Sequence, residues 1–263
     1  VTNRCNMACP ICYSDADHSA VDVPLVKIEF YLQRLLEITR TPVPIQISGG
    51  EPSVRDDLPQ IIALAKRIGY RQIELITNGI RISKNSLFLN ELKERGLTSV
   101  YLQFDGLKSE TTFKIRGRDM TEIRLNAVDA IRRAELCCTL AVVVTKGVNE
   151  NEIGDVVRYG IDNIDVVRAI NFQSAARFNG RFGLDDHYQG YGLQALLELI
   201  EVETGVGAET FRSEHIGHTA CQAMSPVFIV GGKLEPLFKY ISKNDLNAFF
   251  GKESRDKILA AFA

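Results

Sequence analysis

Pro44-Ile45-Gln46-Ile47-Ser48-Gly49-Gly50-Glu51-Pro52 reads as a short strand, Pro44–Ser48, running straight into a tight turn. Two glycines let the backbone approach a ligand without interference from a Cβ, and Pro52 fixes the exit of the turn. Glu51 then sits beside exposed carbonyls, a suitable place to accept hydrogen bonds from an ammonium group. Alone, such a turn is an ordinary strand-to-helix connection. Its neighbours give it meaning.

Working outward, short β-rich runs alternate with amphipathic helical stretches, the pattern of a parallel sheet with helical crossovers. Val1–Thr2 reads as the tail of a first strand. Four more strands follow that at Pro44–Ser48: Gln72–Thr77, Ser99–Phe104, Thr139–Val144 and Asp165–Phe172. Helices are predicted over Leu25–Thr39, Leu58–Ile68, Ser86–Arg95, Glu122–Ala134, Glu152–Tyr159 and Leu193–Glu203. Six βα units imply an α/β fold, a partial (β/α)6 TIM-like barrel, with its core over residues 1–205. Residues 206–263 read as a small α+β appendage: a hairpin of Pro226–Val230 and Lys233–Tyr240 about Gly231-Gly232, then short helices near Asn244–Phe250 and Arg255–Phe262.

Upstream of the quoted strand lies Cys5-Asn6-Met7-Ala8-Cys9-Pro10-Ile11-Cys12. Three thiolates on one loop can hold a soft metal centre but are one ligand short of closing it, and an open position is what a metal needs to act on a substrate. A zinc knuckle completed by His18 is the alternative on these residues alone. The chain of 263 residues has a hydrophobic fraction of 45% and a formal net charge of −2, with no basic footprint for nucleic acid. No apolar run approaches the length of a membrane span. Six cysteines, half of them at ligand spacing, point to a reducing, cytoplasmic setting. The chain starts at Val1 and enters the cysteine loop almost at once, so a preceding segment is expected.

The Cys-x3-Cys-x2-Cys loop, followed one βα unit later by Gly-Gly-Glu-Pro, resembles the radical S-adenosylmethionine (radical SAM) superfamily over residues 1–205. The resemblance implies a 4Fe–4S cluster held by Cys5, Cys9 and Cys12, with S-adenosylmethionine chelating the open iron. Gly49, Gly50, Glu51 and Pro52 would hold the amino group of that cofactor. Asn78 follows the third strand. Gln103 and Asp105 match the region that meets the ribose, and Thr145 and Gln173 lie where the nucleoside is contacted. Arg116 would bind the methionine carboxylate or an anionic substrate. The residue before the third cysteine, often aromatic in this superfamily, is Ile11 here, with Tyr13 just after.

More narrowly, Tyr101–Gly106, Lys114–Gly117, Lys146–Glu150, Ile161–Val166, Asn171–Gln173 and the tail around His218–Cys221 are similar to the archaeal-type group of tetraether lipid synthases and pterin methyltransferases. The implied chemistry is reductive cleavage of S-adenosylmethionine to a 5′-deoxyadenosyl radical that abstracts hydrogen from an unreactive carbon, of a lipid chain in the synthase reading. The alternatives are a radical methyltransferase acting on a pterin-like small molecule, and a non-catalytic zinc- or cluster-stabilised module. An electron donor such as ferredoxin or flavodoxin is implied. Arg118 flanks Gly117 with Arg116 in a loop after the fourth strand and shares its two readings, an anion-binding residue or a solvated loop. Arg177 and Arg181 read as surface charge, and the other histidines as structural or exposed. Cys137 and Cys138 read as core thiols. Cys221 is a packing thiol, or a ligand of an auxiliary cluster whose remaining ligands precede Val1.

Overall fold

A computed structural model describes residues 1–175, 189–213 and 221–241. Arg177, Arg181, His187, His215, His218 and the two expected terminal helices lie outside the described residues.

Five strands form one sheet in the order β1 (Ile45–Ile47), β2 (Ile73–Thr77), β3 (Ser99–Gln103), β4 (Cys137–Val144) and β5 (Val167–Ser174). Every neighbouring pair in it is parallel. Strands laid down in sequence order, all parallel and each separated by helix, give the partial TIM-like α/β fold. The helices are α1 (Leu25–Thr39), α2 (Leu58–Ile68), α3 (Ile80–Lys84), α4 (Ser86–Arg95), α5 (Ser109–Arg116), α6 (Thr121–Arg133), α7 (Ile153–Asp162) and α8 (Leu193–Thr204).

The expected first strand is corrected. Val1–Thr2 does not form a strand; Thr2 makes a single parallel bridge to Gly49 and an antiparallel one to Asp22. The chain turns into the cysteine loop too soon to extend the ladder. Two hydrogen bonds still dock it on the end of β1: Gly50 N–H donates to the Thr2 carbonyl at 2.7 Å and Glu51 N–H to the Arg4 carbonyl at 2.8 Å.

Strand alternation sorts the side chains into two faces. Ile73, Leu75, Val100, Leu102, Cys138, Leu140 and Val144 are buried and join the core beneath the helices. In α2 the periodic residues Leu58, Ile61, Ile62 and Ala65 fill the same layer with no exposed surface, and burial of a side chain of Leu or Ile size contributes about 1.5–3 kcal/mol. Asn85 starts α4 by accepting the Phe88 N–H at 3.0 Å. The opposite face looks into the half-barrel and is largely polar. Register places Gln46, Glu74, Ser99 and Cys137 in one row across it. Tyr101 and Thr139 form the next row, and Gln103, Asn171 and Gln173 approach the strand ends.

Two helices were not foreseen. α3 is one turn long, and α5 stands where the sequence suggested a loop around Arg116. The buried side of α5 is Thr111, Thr112, Ile115 and Arg116, so no apolar period announces it. Cys137 and Cys138 open β4 rather than precede it; Cys138 is a core thiol that burial pushes up to about 12. Beyond α8, β6 (Val227–Val230) and β7 (Lys233–Pro236) pair antiparallel about Gly231-Gly232, as the hairpin expectation had it.

Candidate functional site

At the C-terminal ends of the parallel strands lies a cleft of about 460 Å³, lined by Cys5, Cys9 and Cys12 on one side and by Glu51, Tyr101 and Gln173 on others. Backbone bonds shape the cysteine loop: Cys5 N–H donates to the Asp17 carbonyl at 2.9 Å, and Cys12 N–H to the Cys9 carbonyl at 3.1 Å. Burial, with Glu51, Cys9 and Cys12 adding negative charge nearby, pushes the Cys5 thiol up to about 11. Burial also raises Cys9, against the pull of Arg116. Burial disfavours the Cys5 and Cys9 thiolates unless a cation arrives, which is the behaviour of metal-ligand thiols. Among the described residues no three His, Cys, Asp or Glu side chains converge on a single-ion position. His18 is exposed and is not brought into such a set. Cys5, Cys9 and Cys12 line one cleft together, and His18 is not among its lining residues.

Gly49 and Gly50 explain how the loop is held. A Cβ at Gly49 would overlap the Thr2 carbonyl oxygen, and one at Gly50 the Arg4 carbonyl oxygen. The backbone that needs the room is therefore the chain's own, leading into Cys5, and not a ligand's as the sequence suggested. Glu51 follows at 2% exposure. Its Oε1 accepts the Ser53 N–H at 3.1 Å and the Thr77 hydroxyl at 2.7 Å, and its Oε2 accepts the Asn78 N–H at 2.7 Å. All three donors are neutral, and burial pushes the carboxyl up despite them. Glu51 is also among the residues that line the cleft, and none of its hydrogen-bond donors carries a charge.

Asp105 is buried in a different setting. Arg116 clasps it through Nε at 2.8 Å and Nη2 at 2.6 Å, Arg124 donates to Oδ2, and the Val143 N–H reaches Oδ1 at 3.2 Å. Burial raises the carboxyl, but the two arginines outweigh it and hold it at about 2. Asn149 ties the ends of β3 and β4 together, donating to the Asp105 carbonyl at 2.7 Å and the Val143 carbonyl at 2.9 Å.

Residues 1–160 match the radical SAM superfamily. The chain belongs to the radical SAM superfamily. Its cofactors are accordingly a 4Fe–4S cluster and S-adenosylmethionine, and its fold is shared with solved members. Streptococcus suis SuiB bound to S-adenosylmethionine superposes with a TM-score of 0.60 at 17% identity, over 76% of this chain and 44% of that one. Among curated relatives, the 7,8-dihydro-6-hydroxymethylpterin dimethyltransferase of Methanocaldococcus jannaschii is 38% identical over 211 residues, covering 78% of this chain and 41% of the relative. A probable GTP 3′,8-cyclase of Methanothermobacter marburgensis is 31% identical over 166 residues, covering 60% and 51%. The chain spans about half the length of these relatives, or less.

Within this radical SAM core, Gly49, Gly50, Glu51, Asn78, Gln103, Arg116 and Gln173 all line the cleft. Pro52, Asp105 and Thr145 are not among the residues that line it. Pro52 is buried as the start of a 3-10 turn. Asp105 is fully enclosed by its arginines. Thr145 has no exposed surface, and its hydroxyl is enclosed without a partner. Asn78 lines the cleft but spends its side chain on structure, donating to Asn6 Oδ1 at 2.8 Å and accepting the Ile80 N–H at 3.0 Å. Arg116 is committed to Asp105, not left in a loop for a carboxylate. Ile11 packs on Ile115 and Ala175, while Tyr13 is 63% exposed.

Sequence reading missed Tyr101 as a site residue. Its hydroxyl accepts from Asn171 Nδ2 at 2.8 Å and Gln173 Nε2 at 2.7 Å, bridging β3 to β5 across the cleft floor. The two-residue step Tyr101, Gln103, Asp105 was the available signal, since it puts Tyr101 on the same face as Gln103, one row deeper. No helix among the described residues is long and apolar enough to cross a membrane.

Proposed function

We propose that this chain is the core of a radical SAM enzyme acting on a small, polar, pterin-like heterocycle, with methyl transfer as the outcome. Cys5, Cys9 and Cys12 hold the cluster in this reading, and Glu51 takes the amino group of S-adenosylmethionine. Together the two cofactors supply a 5′-deoxyadenosyl radical, and the residues of the chain decide what meets it. Arg116 and Asp105 stand behind the loop, and the sheet face below the cleft receives the substrate.

The observation that carries the substrate class is the polarity of that face. Under the cleft stand Tyr101, Asn171 and Gln173 in one hydrogen-bonded group. A row deeper, Glu74 accepts from Gln46 Nε2 at 2.7 Å and Ser99 Oγ at 3.2 Å. An acyl chain sliding past these groups would strip them of water and return nothing, at about 1–3 kcal/mol for each one left unpaired. A heterocycle with ring nitrogens, an amino group and a carbonyl can answer them. This favours the pterin-type alternative over the tetraether-type reaction, and the name of the Methanocaldococcus relative points the same way.

The test is anaerobic incubation of the reconstituted protein with S-adenosylmethionine, a low-potential reductant and either a dihydropterin or an archaeal-type lipid, followed by mass spectrometry. With S-adenosylmethionine in excess, one molecule yields 5′-deoxyadenosine and methionine, and a second donates its methyl group and leaves as S-adenosylhomocysteine. Methylated pterin, formed together with pterin-dependent 5′-deoxyadenosine, is the expected result. Lipid-dependent 5′-deoxyadenosine with none from the pterin would overturn the reading. Replacing Cys5, Cys9 or Cys12 by Ala should abolish the cluster and all turnover. Tyr101→Phe should weaken pterin binding by about 1 kcal/mol.

A further inference from the structure

Arg116 ends α5, and several contacts fasten that turn to the cysteine loop. Ile115 is fully buried against Ile11, the residue before Cys12, and against Ala175. A Cβ built at Gly117 would stand 3.5 Å from Pro10 Cδ, so turn and loop lie within van der Waals reach. Between these apolar contacts Arg116 and Cys9 both line the cleft, and the positive charge of the guanidinium acts on the Cys9 side chain. Asp105 fixes the same guanidinium from behind at 2.6 and 2.8 Å. The Gln103 amide oxygen, in the orientation that satisfies both groups, accepts from Nη2 at 2.6 Å and Nη1 at 2.7 Å.

Charge does not balance inside this buried group. Two guanidiniums, Arg116 at 6% and Arg124 at 1% exposure, face one carboxylate, Asp105 at 0%. Arg124 Nε and Nη1 are buried without a hydrogen-bond partner. A buried cation lacking its counter-charge is strongly unfavourable. The surplus positive charge therefore stands behind the cleft that Arg116 and Cys9 both line.

We propose that Arg116, with Arg124 and Asp105 behind it, is a positioning residue that donates a hydrogen bond to the Cys9 thiolate and raises the reduction potential of the cluster. The inference rests on Cys9 being a cluster ligand. Reduction takes one electron from a low-potential donor, makes and breaks no bond, and adds one negative charge to the group held by Cys5, Cys9 and Cys12. A fixed N–H donor and a surplus positive charge beside one of the sulfurs stabilise that added charge. Asp105 works in the opposite sense, tempering the surplus while aiming the guanidinium. Arg116 thereby acts on the electron-accepting step without touching S-adenosylmethionine.

The experiment is a redox titration of the 263-residue chain, anaerobically reconstituted and free of S-adenosylmethionine, with the reduced cluster read by electron paramagnetic resonance. Arg116→Met should lower the reduced-to-oxidised ratio at a fixed potential at least tenfold, which for a one-electron couple is about 59 mV. Arg116→Lys should recover most of the shift, and Asp105→Asn should move the midpoint up. Ile115→Ala should weaken iron retention and leave the midpoint where it was, separating docking of the loop from charge. An Arg116→Met midpoint equal to the native one overturns the proposal. If Arg116→Met loses the cluster, Asp105→Asn decides, and a midpoint no higher than native overturns it. A native chain that binds no 4Fe–4S cluster would instead refute the ligand assignment of Cys9.

Discussion

Glu51 and Asp105 are both buried carboxylates at the ends of parallel strands, and the protein treats them in opposite ways. Asp105 is neutralised twice over by Arg116 and Arg124 and held at about 2. Glu51 receives only neutral donors, from Ser53, Thr77 and Asn78, and burial pushes it up. One carboxylate has its counter-charge from the chain; the other has none among its hydrogen-bond partners. The comparison teaches that burial alone does not mark a ligand-binding acid. What separates a structural carboxylate from a binding one is whether the chain brings the counter-charge itself.

The largest way to break the comparison is Asp105→Ala. Two arginines would then stay buried without a carboxylate, and losing one partner of such a group costs about 3–5 kcal/mol. Urea unfolding of the chain should show a loss of that size, and a loss below about 1 kcal/mol would mean water reaches the arginines. Next comes Glu51→Ala. It should weaken S-adenosylmethionine binding by about 1.5–3 kcal/mol while iron content stays native, because Glu51 is not a metal ligand. Equilibrium dialysis beside an iron assay checks both halves, and unchanged affinity would reduce Glu51 to a turn residue.

A pH series sharpens the contrast. The Asp105 carboxyl falls from its ordinary 3.8 to about 2 in the fold, so its ionised form stabilises the protein above pH ~4, and that contribution is lost as pH drops through about 2. The shift corresponds to about 2 kcal/mol. The difference in unfolding free energy between the native chain and Asp105→Asn should shrink over that window. Glu51 runs the other way. Its raised carboxyl makes burial of the charge a cost that appears as pH rises past the ordinary glutamate value. Glu51→Gln is therefore the smallest effect expected on stability, within about 1 kcal/mol at neutral pH, even though it removes the charge that Glu51→Ala removes. A melt showing a larger loss would place Glu51 with Asp105 as a structural acid.

Much of the fold was legible because periodicity is local. Leu25–Thr39, Leu58–Ile68 and Ser86–Arg95 were read with the boundaries they have, since apolar residues recur along one face and the chain breaks cleanly after them. α5 was not legible. Its inner side is Thr111, Thr112, Ile115 and Arg116, a mostly polar surface that meets Glu152 and Asp105, with Ile115 packed on Ile11 and Ala175. Glu152 explains the first part: it accepts the Leu107 and Lys108 N–H groups at 2.8 and 3.0 Å and the Thr111 hydroxyl, holding the start of α5 from a residue far along the chain. Thr2 shows the reverse error. A strand was expected there, but only one parallel bridge forms before the cysteine loop turns away.

By itself the sequence determined the parallel α/β order, the crowding of Cys5, Cys9 and Cys12 on one loop, and the placement of Gly49-Gly50-Glu51 one unit later. Spacing along a chain settles those, because ligands and turns a few residues apart cannot be separated by folding. Only the tertiary structure decided that Gly49 and Gly50 clear space for the chain's own Thr2 and Arg4, that Asp105 is spent on arginines, and that Arg116 faces Cys9. Each of these is a meeting of groups far apart in sequence. Charge balance and close approach depend on distance in space, which no local pattern records.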